Sequence, residues 1–277
     1  MKYQEFLNQI FKQEVILEST GKGLTNQIYR TTVNDISYIV RIPYENDAQI
    51  INPLHETQIL SIIKKYPLDV KEFYYDPITR IRITYYESEV VDFHEYTEDD
   101  ALKKVAELLS ILHHIPVTID SKFLPVERLL SYKNQIKNPI YDLSSYQYII
   151  DDIKNMKSFL CICHNDLVSG NILLSKEKQF LIDYEYAGLN DPLFDIMSFI
   201  TENQIEDEQQ RTQFYQYYFK ENPNPSIMKQ LLAYERFHNL LWLYWAMMMA
   251  ENRADSIYLE IANDKYQALK KSVLKEV

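Results

Sequence analysis

The chain reads as an α+β protein of two unequal lobes, a small antiparallel sheet with one packed helix followed by a larger, mainly helical part. Three observations predict this. Short strand-like runs bounded by turn residues gather before residue 88. One helical stretch over residues 52–63 interrupts them. Beyond residue 97 the apolar spacing is helical almost throughout, broken by strand-like runs between 161 and 183. The expected division is 1–88 and 89–277, which suits a length of 277 residues.

Residues 3–12 carry Phe6, Leu7, Ile10 and Phe11 at helical spacing, a short amphipathic lead-in. A turn follows with Gly21, Gly23, Thr25 and Asn26 between two strand-like runs. It is either an ordinary hairpin loop or a turn whose N–H groups and hydroxyl face phosphate oxygens. In the strand 38–43, Ile39 and Arg41 share one face, and Tyr38, Val40 and Ile42 share the other. A charge in such a run wants a partner. The next helix supplies one. Asn52 can cap it, Pro53 suits its first turn, and Glu56 is the only charge on a stripe with Ile59, Leu60 and Ile63. Arg41 and Glu56 are therefore expected to form a buried strand-to-helix ion pair.

Residues 73–75 and 80–86 flank Asp76-Pro77 and predict a second hairpin, with 87–93 as a hinge between lobes. Thr97 and the following acids start a helix with Leu102, Val105, Ala106, Leu109 and Leu112 on its buried stripe. His113 and His114 end it and read as a solvated cap, because adjacent histidines cannot face one metal on a helix. Residues 118–158 are helical and polar without a chemical signal. The chain from 206 onward alternates helices and loops.

The chemistry concentrates between 161 and 203. Cys161 and Cys163, the two cysteines, read as buried reduced thiols: too far apart for a relaxed disulfide, and too few ligands for zinc. His164-Asn-Asp166 with Asn171 fits His-x-Asp-x-x-x-x-Asn, the loop pattern of protein-kinase-like phosphotransferases. Residues 171–175 and 179–182 then read as a hairpin whose tip is Glu177. Asn171 and Asp183 lie equally far from that tip, so a regular ladder sets them face to face, where they can share one Mg²⁺. In this motif class the Asp, here Asp166, accepts the proton of the attacking hydroxyl, and His164 ties the loop to backbone.

Trp242 and Trp245, the two tryptophans of the chain, share a helix face at i and i+3. Such a stripe is either core or a set of ring faces for a quaternary ammonium group. A net charge of −11 argues against a nucleic-acid or anionic-membrane surface and agrees with a cationic substrate. No signal-peptide core and no run long enough for a bilayer is present, which with the reduced thiols predicts a cytoplasmic protein without membrane insertion.

With these motifs in view, the chain resembles the choline/ethanolamine kinase family, within the aminoglycoside-phosphotransferase-like group of the protein-kinase-like fold. The resemblance rests on Gly-Leu-Thr-Asn at 23–26, Val-Arg-Ile-Pro at 40–43, His-Asn-Asp-Leu at 164–167, and Ser-Gly-Asn at 169–171. It continues through Asp183-x-Glu185-Tyr186, Asn190, Phe194-Asp195, Glu202 and Trp242-x-x-Trp245. It implies an ATP- and Mg²⁺-dependent kinase acting on choline or a similar small cationic alcohol. Asp166 would be the base, with Asn171 and Asp183 holding two magnesium ions. Thr25, Asn26 and Arg41 would meet the nucleotide, with Glu56 orienting Arg41. Tyr186, Glu202, Trp242, Trp245 and, more weakly, Tyr258 would line the choline pocket, and Asp195 would brace the loop. Val168 departs from the family, which often has Gln there. The shorter chain is more similar to bacterial members. The alternatives are an ethanolamine, thiamine or aminoglycoside kinase of the same fold, or a non-catalytic choline- or nucleotide-binding pseudokinase. Paired tryptophans argue against an aminoglycoside, which needs carboxylates spread along an open cleft. Oligomeric state is not legible.

Overall fold

A computed structural model describes residues 3–21, 23, 26–44, 53–253 and 255–275. The N-terminal part is a five-stranded antiparallel sheet in the order β1-β2-β3-β5-β4. Its strands are β1 (Glu18–Ser19), β2 (Asn26–Val33), β3 (Ile36–Pro43), β4 (Glu72–Tyr75) and β5 (Arg82–Tyr85), with α1 (Gln4–Phe11) leading in and α2 (Pro53–Ile63) between β3 and β4. The strand alternation decides what each face does. Tyr38, Val40 and Ile42 of β3 point into a small core with Leu7, Phe11, Val33, Ile81 and Ile83. Arg41, one position out of phase, emerges on the other face. The apolar stripe of α2, Ile59, Leu60 and Ile63, joins the larger core that continues into the C-terminal part.

That part begins with β6 (Val91–Asp92) and the helices α3 (Ala101–His113), α4 (Pro125–Gln135) and α5 (Gln147–Asn155). The strands β7 (Cys161–Cys163), β8 (Ile172–Leu174), β9 (Gln179–Leu181) and β10 (Gly188–Asn190) follow. They form two small antiparallel sheets, β6-β8-β9 and β7-β10. The helices α6 (Pro192–Glu202), α7 (Glu208–Phe219), α8 (Pro225–Arg253) and α9 (Ser256–Val273) complete the chain. Asp191, Asp207 and Asp255 cap α6, α7 and α9, each side chain accepting a backbone N–H of the first turn. Among the described residues no helix is long and apolar enough to cross a membrane, although α8 runs for 29 residues.

The β8–β9 hairpin corrects one expectation. Ile172 pairs with Leu181 and Leu174 with Gln179. Ser175 N–H donates to Lys178 O at 2.8 Å, closing a loop whose tip is the two residues Lys176 and Glu177. Asn171 therefore lies opposite Ile182, whose N–H it accepts at 2.9 Å, and not opposite Asp183. Counting three residues at the tip put the register off by one; two-residue loops match strand twist better.

Candidate active site

The loop over residues 164–171 leaves β7 and is held almost entirely through its backbone. Asp195 of α6, fully buried, accepts His164 N–H and Asn165 N–H, both at 2.7 Å. Ser198, one turn on, accepts Leu167 N–H at 3.0 Å, and Asn203 just past the helix end donates to Leu167 O at 2.7 Å. Asn165 sits at φ +67°, in the left-handed region, with its side chain donating to Tyr186 O and accepting from Asn190. Non-glycine residues adopt that conformation where the surroundings impose it. His164 Nε2 pairs with Ile182 O at 2.9 Å, the backbone tie expected of it. Burial holds its imidazole below the usual range.

This scaffold presents Asp166. Asn171 Nδ2 donates to Asp166 Oδ2 at 3.1 Å and to Asp166 O at 2.9 Å, which turns the acceptor end of the amide away. Asp183, at φ +65°, precedes a single 3₁₀ turn formed by Tyr184, Glu185 and Tyr186. Burial, then the charges of Glu202, Asp183 and Glu185, pushes the Asp166 carboxyl well above the ordinary carboxylate range. Asp183, Glu185 and Glu202 each meet a cation, Arg41, Arg80 and Lys265 respectively, while Asp166 takes the Asn171 amide. An all-oxygen donor set of this kind suits a hard divalent cation such as Mg²⁺.

Basic side chains of the sheet face this cluster. Arg41 reaches Asp183 at 2.5 Å through Nη1 and pairs with Glu56 through Nη2. Burial opposes its charge, but Glu56, Asp183 and Glu185 more than offset that and raise the guanidinium. Glu56 is fully buried. Burial alone would raise its carboxyl, yet Arg41 and Arg80 hold it below the usual range. Arg80 Nε lies 3.2 Å from Glu56, and its Nη2 lies 3.5 Å from Glu185. Asn26 is 1% exposed and donates to Glu185 at 2.9 Å, so its side chain ties the sheet to the C-terminal part. Gly23 has φ +115°, and a Cβ there would lie 2.4 Å from Asn26 O, so the bend into β2 requires glycine. Thr25 and the cap position Asn52 lie outside the described residues.

The expected pocket rings form one chain of edge-to-face contacts. Tyr186 meets Trp242 at 5.8 Å between centroids, Trp242 meets Trp245 at 5.9 Å, and Trp245 meets Tyr258 at 5.6 Å. The Nε1 atoms of both indoles and the Tyr186 hydroxyl are buried without a hydrogen-bond partner, a costly arrangement for core packing alone. Glu202, at the end of α6, is held by Lys265 of α9 at 2.6 Å.

Several neighbours escaped the sequence reading. His113 is buried and is no solvated cap. Its Nε2 is 3.0 Å from Asp195 and its Nδ1 2.7 Å from Tyr218 Oη. The apolar stripe of α3 rotates it inward, while His114 stays exposed. His113 also brings a third ligand-type atom near the two thiols, all within 4.8 Å of one another, but both its ring nitrogens are engaged. Arg128 of α4, in a stretch read as chemically silent, stacks its guanidinium 5.1 Å from the Tyr186 ring centroid and 4.6 Å from that of Phe123. Its spacing offered no clue, since one arginine on a polar helix is ordinary. Asp195, Ser198 and Glu202 did carry a signal: steps of three and four place them on one face of α6.

A family model described as choline/ethanolamine kinase matches residues 17–270. Protein LicA of Haemophilus influenzae is 27% identical over 267 residues, spanning 91% of this chain and 78% of that protein. The crystal structure of choline kinase LicA from Streptococcus pneumoniae superimposes with a TM-score of 0.79 at 21% identity, covering 98% of this chain and all of that one. A crystal structure of LicA in complex with AMP gives 0.80 at the same identity, covering 98% of each chain. At such identity these structures establish the fold, an α+β kinase-like architecture.

Proposed function

This chain belongs to the choline/ethanolamine kinase family, and we propose from that membership that it transfers the γ-phosphoryl group of ATP to the hydroxyl of choline. The observation that carries the choice of choline is the chain of rings Tyr186, Trp242, Trp245 and Tyr258. Ring faces attract a methylated ammonium that has no N–H to donate, by roughly 2 kcal/mol when desolvated. The Tyr186 backbone is tied to the catalytic loop, its carbonyl accepting from the side chain of Asn165, the residue before Asp166. In this reading a cationic head sits among the rings and its alcohol is turned toward Asp166.

Asp166 accepts the proton of the attacking hydroxyl. Asp195, Ser198 and Asn203 hold the loop so that Asp166 does not drift, which is how orientation enters the barrier. Asn171 and Asp183 are the residues that would hold Mg²⁺, with Asp166 and Glu185 adding negative charge nearby. Bound there, the ion offsets charge on the transferring phosphates. Arg41 stands on the nucleotide side, kept charged and aimed by Glu56. Asn26, whose side chain reaches Glu185, and Thr25 before it are the residues of this segment that would meet the nucleotide. An ATP-dependent reaction and two free thiols support a cytoplasmic setting.

The test is ADP release by the native chain with choline, ethanolamine, thiamine and kanamycin offered in parallel with MgATP. Choline is expected to give the highest kcat/KM. Faster turnover of another acceptor would move the assignment to that compound. Choline binding with no turnover of any acceptor would mark a sensor.

A further inference from the structure

The charge expected to meet the substrate ammonium already has a partner. Lys265 Nζ holds Glu202 Oε1 at 2.6 Å, and the two side chains are only 12% and 11% exposed. Lys265 lies on the inward stripe of α9 with Tyr258, Ala262, Leu269 and Ser272, at steps of four, three, four and three. It is the one charge on that stripe. The same stripe therefore carries a ring of the pocket and the cation that occupies the pocket's carboxylate. Glu202 in turn, after burial, is the first of the charges that raise the Asp166 carboxyl.

We infer that Lys265 is a specificity-determining residue, which ties up Glu202 and so favours an ammonium without N–H groups over one that must donate. This rests on the choline reading above. A primary ammonium leaving water needs acceptors for its N–H groups, and each one left unmet costs free energy. A trimethylammonium needs none; ring faces serve it. With Glu202 engaged by Lys265, an incoming N–H has to compete with a lysine for that carboxylate, whereas a methyl group does not. Removing the lysine charge frees Glu202. Both kinds of substrate then gain its Coulombic attraction, but only an amine with N–H groups gains hydrogen bonds as well.

The experiment compares kcat/KM for choline, N,N-dimethylethanolamine and ethanolamine in the native chain, Lys265→Met and Lys265→Arg. In Lys265→Met the preference for choline over ethanolamine is expected to fall about tenfold, the scale of one charge-assisted hydrogen bond. Dimethylethanolamine, with a single N–H, should fall between. Lys265→Arg keeps the charge and should keep the native preference. A merely structural lysine would change all three substrates alike. If Lys265→Met melts far below the native chain, Lys265→Gln reads the same ratio. Native turnover of choline with a preference unchanged in the uncharged variants overturns the inference alone. Native turnover of neither choline nor ethanolamine overturns the choline reading and the inference with it.

Discussion

His113 Nε2 lies 3.0 Å from Asp195 Oδ2, with both side chains buried, and this contact joins α3 to the back of the loop that presents Asp166. Asp195 thereby accepts three donors or near-donors at once: two backbone N–H groups of the loop and one imidazole edge.

Asp195→Ala leaves two buried N–H groups without an acceptor, each costing roughly 1–3 kcal/mol. The variant should melt well below the native chain, and kcat should fall by about 100-fold or more at a temperature where it is still folded. His113→Leu keeps both backbone bonds and should cost less on both measures. Equal damage from the two variants would show that the imidazole, and not the loop backbone, is what Asp195 serves.

Asp166 should impose a pH-dependent cost on folding. Burial and the charges of Glu202, Asp183 and Glu185 raise its carboxyl in the folded chain, while an unfolded aspartate titrates near about 3.9. Between those two values the folded state binds the proton more tightly. Stability therefore falls as pH rises from about 4 through the folded pKa, and the cost is absent below about 4, where both states hold the proton. Asp166→Asn removes the titration. It should melt a few degrees above the native chain at pH 8 and level with it near pH 4, while ADP release drops by roughly 10²–10⁴. Melting curves at the two pH values, run without nucleotide or magnesium, check the first part; a variant less stable at pH 8 contradicts it.

Trp242→Ala removes the ring that links Tyr186 to Trp245 in the chain that runs on to Tyr258. Loss of a cation–π contact of about 2 kcal/mol should raise the choline KM roughly 30-fold. The ATP KM should stay within about twofold. An unchanged choline KM would return this indole to the core.

Glu56→Gln breaks the buried group that holds Arg41 and Arg80. Two guanidinium groups then lose their shared counter-charge, and breaking a buried pair costs about 3–5 kcal/mol. Urea unfolding should show that loss, and the ATP KM should rise about tenfold as Arg41 leaves its native orientation. A stability loss with no change in nucleotide KM would make the pair purely structural.

How much of this was legible in the chain depends on the range of the interaction. The alternation in β3 and the lone acid on α2 were enough to pair Arg41 with Glu56, because a buried charge on a strand needs a partner and few were on offer. His164 and Asp195 were readable from the loop pattern and the resemblance. The β8–β9 register was not, since one residue more or less at the tip changes which side chains oppose each other. His113 was misplaced because adjacency to His114 suggested a shared role, whereas the helical turn sends the two in different directions. Lys265, Arg80 and Arg128 were invisible. Each is an ordinary basic residue locally, and its meaning comes from an acid or ring that lies far away in sequence: Lys265 is 63 residues from Glu202.

Placing Asp195, Ser198 and Glu202 on a single stripe of α6 has a consequence for how this segment can change. Each helical residue advances the stripe by about 100°. One residue inserted or deleted between 195 and 202 would swing Glu202 away from Lys265 while Asp195 stayed at the loop. The stretch can accept new side chains on its other faces, but its length is locked, and indels should be absent from it in any functional descendant.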